Sequence, residues 1–198
     1  MAVKKKSKAK AKAPAKKAAK KVAQKAVKKV AKKAAAKKPA PAKTAAKSLL
    51  GKRAPDFNMS TDDGKAVSLK GLSGKRVVLY FYPKDDTPGC TVEACAFRDN
   101  LPKFSTANAV VIGVSKDNVA SHKKFKNKFS LNFPLASDES KVCEAYGVWA
   151  EKSMYGRTFM GVERSTFIID ETGVVRAEWR KVSVPGHAEE VRKALEIL

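Results

Sequence analysis

The run RVVLYFYP, Arg76 to Pro83, constrains the fold more than any other stretch. After Arg76 come six apolar or aromatic residues with no polar alternation. A strand of that composition has no face to give to water, so it belongs inside a sheet covered on both sides. Pro83 ends it, since proline has no N–H for the ladder. AVVIGVS (Ala109–Ser115) is a second run of the same kind, and the residues from about Gly89 to Phe104 between them read as a helix. Pro102 falls late in that helix and marks a kink or an end.

The remaining segments follow the same logic. GKRAPDFNMSTDDGKAVSLKGLSGK predicts short strands turning at Asp63-Gly64, as an antiparallel hairpin. NVASHKKFKNKFS (Asn118–Ser130) reads as an amphipathic helix with Phe125 and Phe129 on one face and lysines on the other. FPLASD is a short strand, after which Ser137 or Asp138 caps a helix running through Ala145-Tyr146 and stopped by Gly147. STFIID and VVRAEWR flank the Glu171-Thr172-Gly173 turn as a hairpin. Pro185-Gly186 then leads into a closing helix, HAEEVRKALEIL, with Val191, Leu195 and Leu198 as its buried stripe. This order predicts an α/β fold with a mixed central sheet and helices on both faces. A site is expected beyond the carboxyl end of the first buried strand, from Pro83 to Cys90.

Residues 1–48 do not share this patterning. The first 50 residues hold 19 lysines, no aspartate, no glutamate and no aromatic residue. The whole chain has 42 basic and 19 acidic residues, so the rest carries 23 against 19 and is nearly neutral. Such a segment cannot bury enough apolar surface to offset its ordering entropy, so residues 1–48 are expected to be a disordered basic tail and 49–198 the folded domain. The tail lacks the apolar core of a secretory signal and the Arg/Ser bias of a transit peptide. No run reaches the roughly 18 apolar residues of a membrane span. Three cysteines in a chain with no export signal suggest a reducing compartment, where a close pair is more often catalytic or metal-binding than structural.

That pair is Cys90 and Cys95, in PKDDTPGCTVEACAFRD. Cys90 follows Thr87-Pro88-Gly89 at the expected helix start, where free N–H groups and partial positive charge favour thiolate over thiol. Thr87 can offer a hydroxyl to the sulfur or to an oxygen beside it. Pro83 and Pro88 stiffen the loop. Arg164, at the start of a buried strand in GVERSTFIID, is the candidate cation.

The loop resembles that of the peroxiredoxins, Pro-x-x-x-Thr-x-x-Cys, here Pro83, Thr87 and Cys90. Cys95, five positions on, is similar to the second cysteine of the bacterioferritin-comigratory or Q-type subfamily. The likeness covers nearly all of residues 49–198, including APDFNM, Ser153-Met154-Tyr155-Gly156 and Glu163-Arg164-Ser165-Thr166-Phe167. It implies a thioredoxin-like fold, a peroxidatic Cys90, a resolving Cys95, and Thr87 and Arg164 as activators of the peroxide. It also implies a hydroperoxide substrate, thioredoxin or a similar dithiol as reductant, and no metal, haem or other cofactor. A monomer is the expected state. On one regular helix, Cα atoms five residues apart lie roughly 8.6 Å from each other. A disulfide needs about 7 Å or less, so the implied Cys90–Cys95 bond requires the helix start to unwind.

Other readings stand beside this one. A C-x₄-C pair could form half a zinc site, but Cys143 is distant and neither His122 nor His187 has ligand spacing. The C-x-x-C of a dithiol exchanger is absent. Cys143 reads as a core residue, with a second resolving role as the alternative. His122 and His187 read as surface residues, and Glu93 as an ordinary first-turn carboxylate. Trp179 reads as a strand residue of the core, and Trp149 as core or partner surface. For the tail, the favoured reading is nonspecific association with DNA or RNA phosphates through lysines such as Lys4, Lys5, Lys6, Lys16, Lys17, Lys28, Lys29, Lys32, Lys33, Lys37 and Lys38. The alternative is mere solubilisation. The rival for the whole chain is a nucleic-acid-binding redox sensor or structural protein in which peroxide turnover is incidental. A cytoplasmic location, nucleoid-associated or nuclear according to the cell type, fits either.

Overall fold

The computed structural model describes residues 48–154 and 156–198. The expected disordered tail, apart from Ser48 and with all of its candidate phosphate-binding lysines, lies outside the described residues.

Both apolar runs are interior strands of a seven-stranded mixed sheet. β1 (Asn58–Thr61) and β2 (Ala66–Ser68) form the expected antiparallel hairpin, and β3 (Arg76–Phe81) is the first buried run. A helix, α1 (Pro88–Thr106), crosses over to β4 (Ala109–Ser115), which lies parallel to β3. α2 (Val119–Phe129) leads to β5 (Leu135–Ser137), α3 (Val142–Ala145) and a separate two-stranded ribbon, β6 (Trp149–Met154) and β7 (Arg157–Val162). β8 (Ser165–Ile169), β9 (Val175–Arg180) and α4 (His187–Ile197) complete the chain. Across the sheet the order is β2-β1-β5-β4-β3-β8-β9.

The two-residue period of the strands divides the core in two. Val78, Tyr80 and Ile168 point to the side where α1, α2 and α4 pack through Phe97, Phe125 and Val191. Val77, Leu79, Phe81 and Phe167 point to the other side, where α3 contributes Val142 and Cys143. Helices therefore cover both faces, as expected, although α3 is a single turn. Aromatic packing tightens the first half, with the Tyr80 and Phe97 rings stacked at 4.7 Å between centroids. Such pairs contribute about 0.5–1.5 kcal/mol beyond the area they bury.

Several local expectations need correction. α1 does not end at Pro102 but continues to Thr106. The carbonyl that Pro102 cannot serve, that of Arg98, instead accepts a hydrogen bond from Asn132 Nδ2 at 3.3 Å. The helix expected from Ser137 or Asp138 to Tyr146 is only α3, yet Asp138 does cap it, accepting from the Val142 and Cys143 amides at 2.8 and 2.9 Å. Leu198 lies past the end of α4 and is exposed, so the buried stripe is Val191 and Leu195 continued backward by His187. The β6–β7 ribbon had no counterpart among the sequence expectations.

Gly113 of β4 lies beside Tyr80, and its missing side chain makes room for the tyrosine ring. A Cβ there would come within 2.7 Å of the Tyr80 hydroxyl and 2.8 Å of Leu135 Cδ2. Gly113→Ala is therefore expected to destabilise the fold by about 1–3 kcal/mol, measurable by denaturant unfolding, because both neighbours are buried in the core.

Candidate active site

Sheet register explains how two distant segments meet. Ser165 of β8 pairs with Phe81, the last residue of β3, in antiparallel register. Arg164 therefore stands at the carboxyl end of β3, beside the loop that leads into α1. Pro88 takes the first helical position, where its fixed φ suits the helix and its lack of an N–H costs nothing. Thr87 is the N-cap residue, with extended backbone but no side-chain capping bond. Cys90 follows in the first turn, buried to 2% exposure, with the unpaired N–H groups of a helix start around it.

The Arg164 guanidinium joins the site together. Its Nη2 lies 3.2 Å from Cys90 Sγ, and its Nη1 donates to the Glu93 carboxylate. Burial opposes the arginine's charge, but Glu93 and Cys90 outweigh that and hold its pKa above the ordinary value. Glu93 is itself 1% exposed, and its Oε1 has no hydrogen-bond partner among the described residues. Burial pushes the Glu93 carboxyl up to about 7, against the attraction of Arg164. Cys90 and Arg164 are thus brought together as the sequence suggested, while Glu93 is a member of the site and not an ordinary first-turn carboxylate. The signal was its spacing. It stands three residues after Cys90 and so on the same helix face, which puts the carboxylate inside whenever the thiol is inside.

The Thr87 side chain makes neither a capping bond nor a bond to the sulfur, one of the two partners expected for it. Its hydroxyl donates to the Lys84 carbonyl at 3.1 Å and does not reach the sulfur. Pro83 and Pro88 are exposed at the rim of the loop. Cys95 is half-buried and free on the same continuous helix as Cys90, and burial raises its thiol pKa, partly offset by Arg98. Cys143 is fully buried in the opposite core half, with the sheet between it and Cys90, and burial and the Asp138 carboxylate push its thiol far up. That is the core residue expected.

Both histidines are interior, contrary to the surface reading. His122 Nδ1 lies 2.9 Å from Asp85 Oδ2, in the loop that precedes Cys90. His187 Nε2 meets Thr166 Oγ1 at 2.8 Å, and its ring packs between Phe97 and Trp179. Burial, with Arg164 nearby, pushes His187 down to about 4. Each histidine lies on its helix's apolar stripe: His122 is three before Phe125, and His187 four before Val191. Trp149 packs partly buried against the core, with the Lys116 ammonium 5.2 Å from its ring centroid.

A buried thiol held against a guanidinium at a helix start, on a mixed sheet of this order, fits thiol-based redox chemistry on a thioredoxin-like fold. The AhpC/TSA family profile matches residues 50–178. Peroxiredoxin Bcp of Bacillus subtilis is 50% identical over 147 residues, covering 74% of this chain and 94% of that protein. The solved structure of Xanthomonas campestris bacterioferritin comigratory protein matches with a TM-score of 0.68 at 44% identity, over 71% of this chain and 90% of that one. A Xylella fastidiosa PrxQ mutant structure gives 0.68 at 40% identity, over 82% and 98%. The chain belongs to the AhpC/TSA family, as a peroxiredoxin of the Bcp/Q group.

The raised Glu93 pKa has a measurable sign. The folded carboxyl holds its proton to about pH 7 and the unfolded one to about 4.5. The stabilisation this gives is fully present below 4.5 and is lost as pH rises through 7. Between those values wild type should lose stability relative to Glu93→Gln, on the order of a few kcal/mol in total, when thermal or urea unfolding of both is followed against pH. Parallel pH profiles for the two proteins would contradict the burial assigned to Glu93.

Proposed function

We propose that Cys90 is the peroxidatic cysteine and Cys95 its resolving partner, in a cycle that reduces hydrogen peroxide and organic hydroperoxides. The observation that carries this reading is the Arg164 guanidinium 3.2 Å from the buried Cys90 sulfur. The Cys90 thiolate attacks one peroxide oxygen, the O–O bond breaks, and the leaving hydroxide or alkoxide takes up a proton as water or alcohol. Cys90 is left as a sulfenic acid. Negative charge moves from sulfur to the leaving oxygen during this step, so a cation and free helix N–H groups facing both atoms act where the charge develops. The Xanthomonas campestris bacterioferritin comigratory protein is described as having alkyl peroxide reduction activity, which agrees with a hydroperoxide substrate.

In the second step the Cys95 thiol attacks the Cys90 sulfur, the disulfide forms and water leaves. An external dithiol, thioredoxin or its like, then returns both thiols by exchange. The disulfide needs the first turns of α1 to open, because both cysteines lie on one regular helix. The opening segment has natural limits. Between Asp85 and Phe97 the fully buried side chains are Cys90, Glu93 and Ala94, none of them a large apolar group. Phe97 is locked against Tyr80, Phe104 and His187. Opening as far as Phe97 therefore exposes little apolar surface, and opening beyond it is costly.

Peroxide-treated protein should show a Cys90–Cys95 crosslink by peptide mass spectrometry, with faster amide hydrogen exchange over residues 89–97 than in the reduced protein. Cys90→Ser should abolish peroxide consumption coupled to thioredoxin and its reductase. A normal rate in that variant would end the assignment.

Residues 1–48 act in this reading as an appendage to the domain at 49–198, holding the enzyme near nucleic acid. The support is its charge, 19 lysines with no acidic residue. If about eight lysines engage duplex phosphates, log affinity should fall with log salt at a slope of roughly −7. Gel shifts comparing the full chain with one lacking residues 1–47 test this, and equal binding by the two would remove it.

A further inference from the structure

We propose that Asp85, gripped by His122, is a positioning residue for the peroxide reaction, fixing the loop that aims Cys90. The proposal rests on the reading that Cys90 is the attacking thiol.

After the buried Tyr82 that ends the apolar run, the loop into α1 has one buried residue. Pro83, Lys84 and Asp86 are exposed, Thr87 is half-exposed, and Asp85 is buried. Asp85 is tied from both its backbone and its side chain. Its N–H donates to Asp117 Oδ2 at 2.7 Å. Its carboxylate accepts from the Tyr82 hydroxyl at 2.7 Å, the Ser121 hydroxyl at 2.7 Å and His122 Nδ1 at 2.9 Å. These partners come from the end of β3, the segment after β4 and the start of α2, so the loop is pinned to three parts of the scaffold. Asp86 then takes a left-handed φ of 54°, uncommon for a residue with a side chain. The Thr87 hydroxyl closes the turn onto Lys84. Asp85 thus precedes the helix N-cap by two residues and Cys90 by five, and no other buried contact fixes the loop between them.

The carboxylate only accepts hydrogen bonds, so His122 Nδ1 carries the hydrogen. The other ring nitrogen, Nε2, is buried with no partner among the described residues. An unpartnered buried nitrogen is unfavourable, and a leucine at 122 would avoid it. The gain that offsets it is the bond to Asp85. Burial opposes the charge on Asp85, but His122, Ser121 and Tyr82 outweigh it and hold the carboxyl below its ordinary value. The clamp is therefore made with an ionised carboxylate, whose hydrogen bonds are the shorter and stronger kind.

The clamp bears on one step of the cycle only. Attack on peroxide needs the sulfur, Arg164 and the helix start in register, and misplacement by about 1 Å can cost on the order of a hundredfold in rate. Disulfide formation follows after the helix start has left that position. Loosening Asp85 should slow the first step and leave the second unchanged or faster.

The test is single-turnover oxidation of full-length protein by hydrogen peroxide, with sulfenate and disulfide followed separately by quenched mass spectrometry. Asp85→Asn and His122→Leu should lower the sulfenate rate about tenfold or more, with disulfide formation at least as fast as in wild type. His122→Asn, whose side-chain amide can place an N–H near the position of Nδ1, should recover most of the loss. Ser121→Ala removes one bond to Asp85 at a partly exposed site and should give a smaller loss in the folded protein, so the idea stays testable if the larger changes prevent folding. Sulfenate rates for Ser121→Ala and every other folded variant within twofold of wild type would overturn it, as would equal slowing of both steps or failure of His122→Asn to exceed His122→Leu. Wild-type protein that forms no sulfenate at Cys90 would instead refute the peroxidatic assignment itself.

Discussion

One cation organises this molecule's chemistry. Arg164 lies mostly buried between a sulfur and a carboxylate, and Glu93 and Cys90 together offset the burial of its charge. At 3.2 Å a full negative charge on the sulfur would gain roughly 5 kcal/mol of gross attraction at an effective dielectric near 20. Desolvating the guanidinium costs several kcal/mol, so sulfur alone would barely hold it there. Glu93 supplies the difference, and does so from the same helix as the thiol. Because β8 runs antiparallel to β3, the residue before Ser165 must emerge at the end of β3 where α1 begins. The site is a consequence of sheet register, and any slip between β3 and β8 would carry the arginine away from the sulfur.

Much of this architecture was legible in the chain itself. Unbroken apolar runs at Val77–Tyr82 and Ala109–Val114 can only be interior strands, and the helix between them follows from the need to cross over. Arg164 was legible because it immediately precedes a strand of the same kind. The ribbon of β6 and β7 was not, since EKSMYGRTFMGV shows no clean alternation and much of it is exposed. The histidines were misread for a physical reason. Lysines around His122 describe the solvent face of α2, whereas the histidine itself is in phase with Phe125 and faces inward. Thr87 was placed correctly in the loop, but no sequence pattern shows which acceptor its hydroxyl chooses.

The two halves of the core separate tasks. Cys90 and Cys95 lie on α1, in the layer with Tyr80 and Phe97, while Cys143 lies beyond the sheet on α3. Close packing of strand side chains on both faces leaves no route through the sheet for a sulfur. The helix that carries Cys90 is held midway by aromatic stacking at Phe97, and the loop that leads into it by polar bonds to Asp85. Apolar clamps are broad and tolerant, and hydrogen-bonded ones are directional, so the directional clamp stands nearest the group whose aim matters.

The burial of Glu93 links the packing of α1 to a proton. Should the start of α1 swing into solvent, its carboxyl passes from a pocket where it titrates near 7 to water where it titrates near 4.5. At any acidity between those values the departing helix must shed a proton. Within that range a more acidic medium therefore favours the packed helix start, and its opening would be linked to the release of a proton.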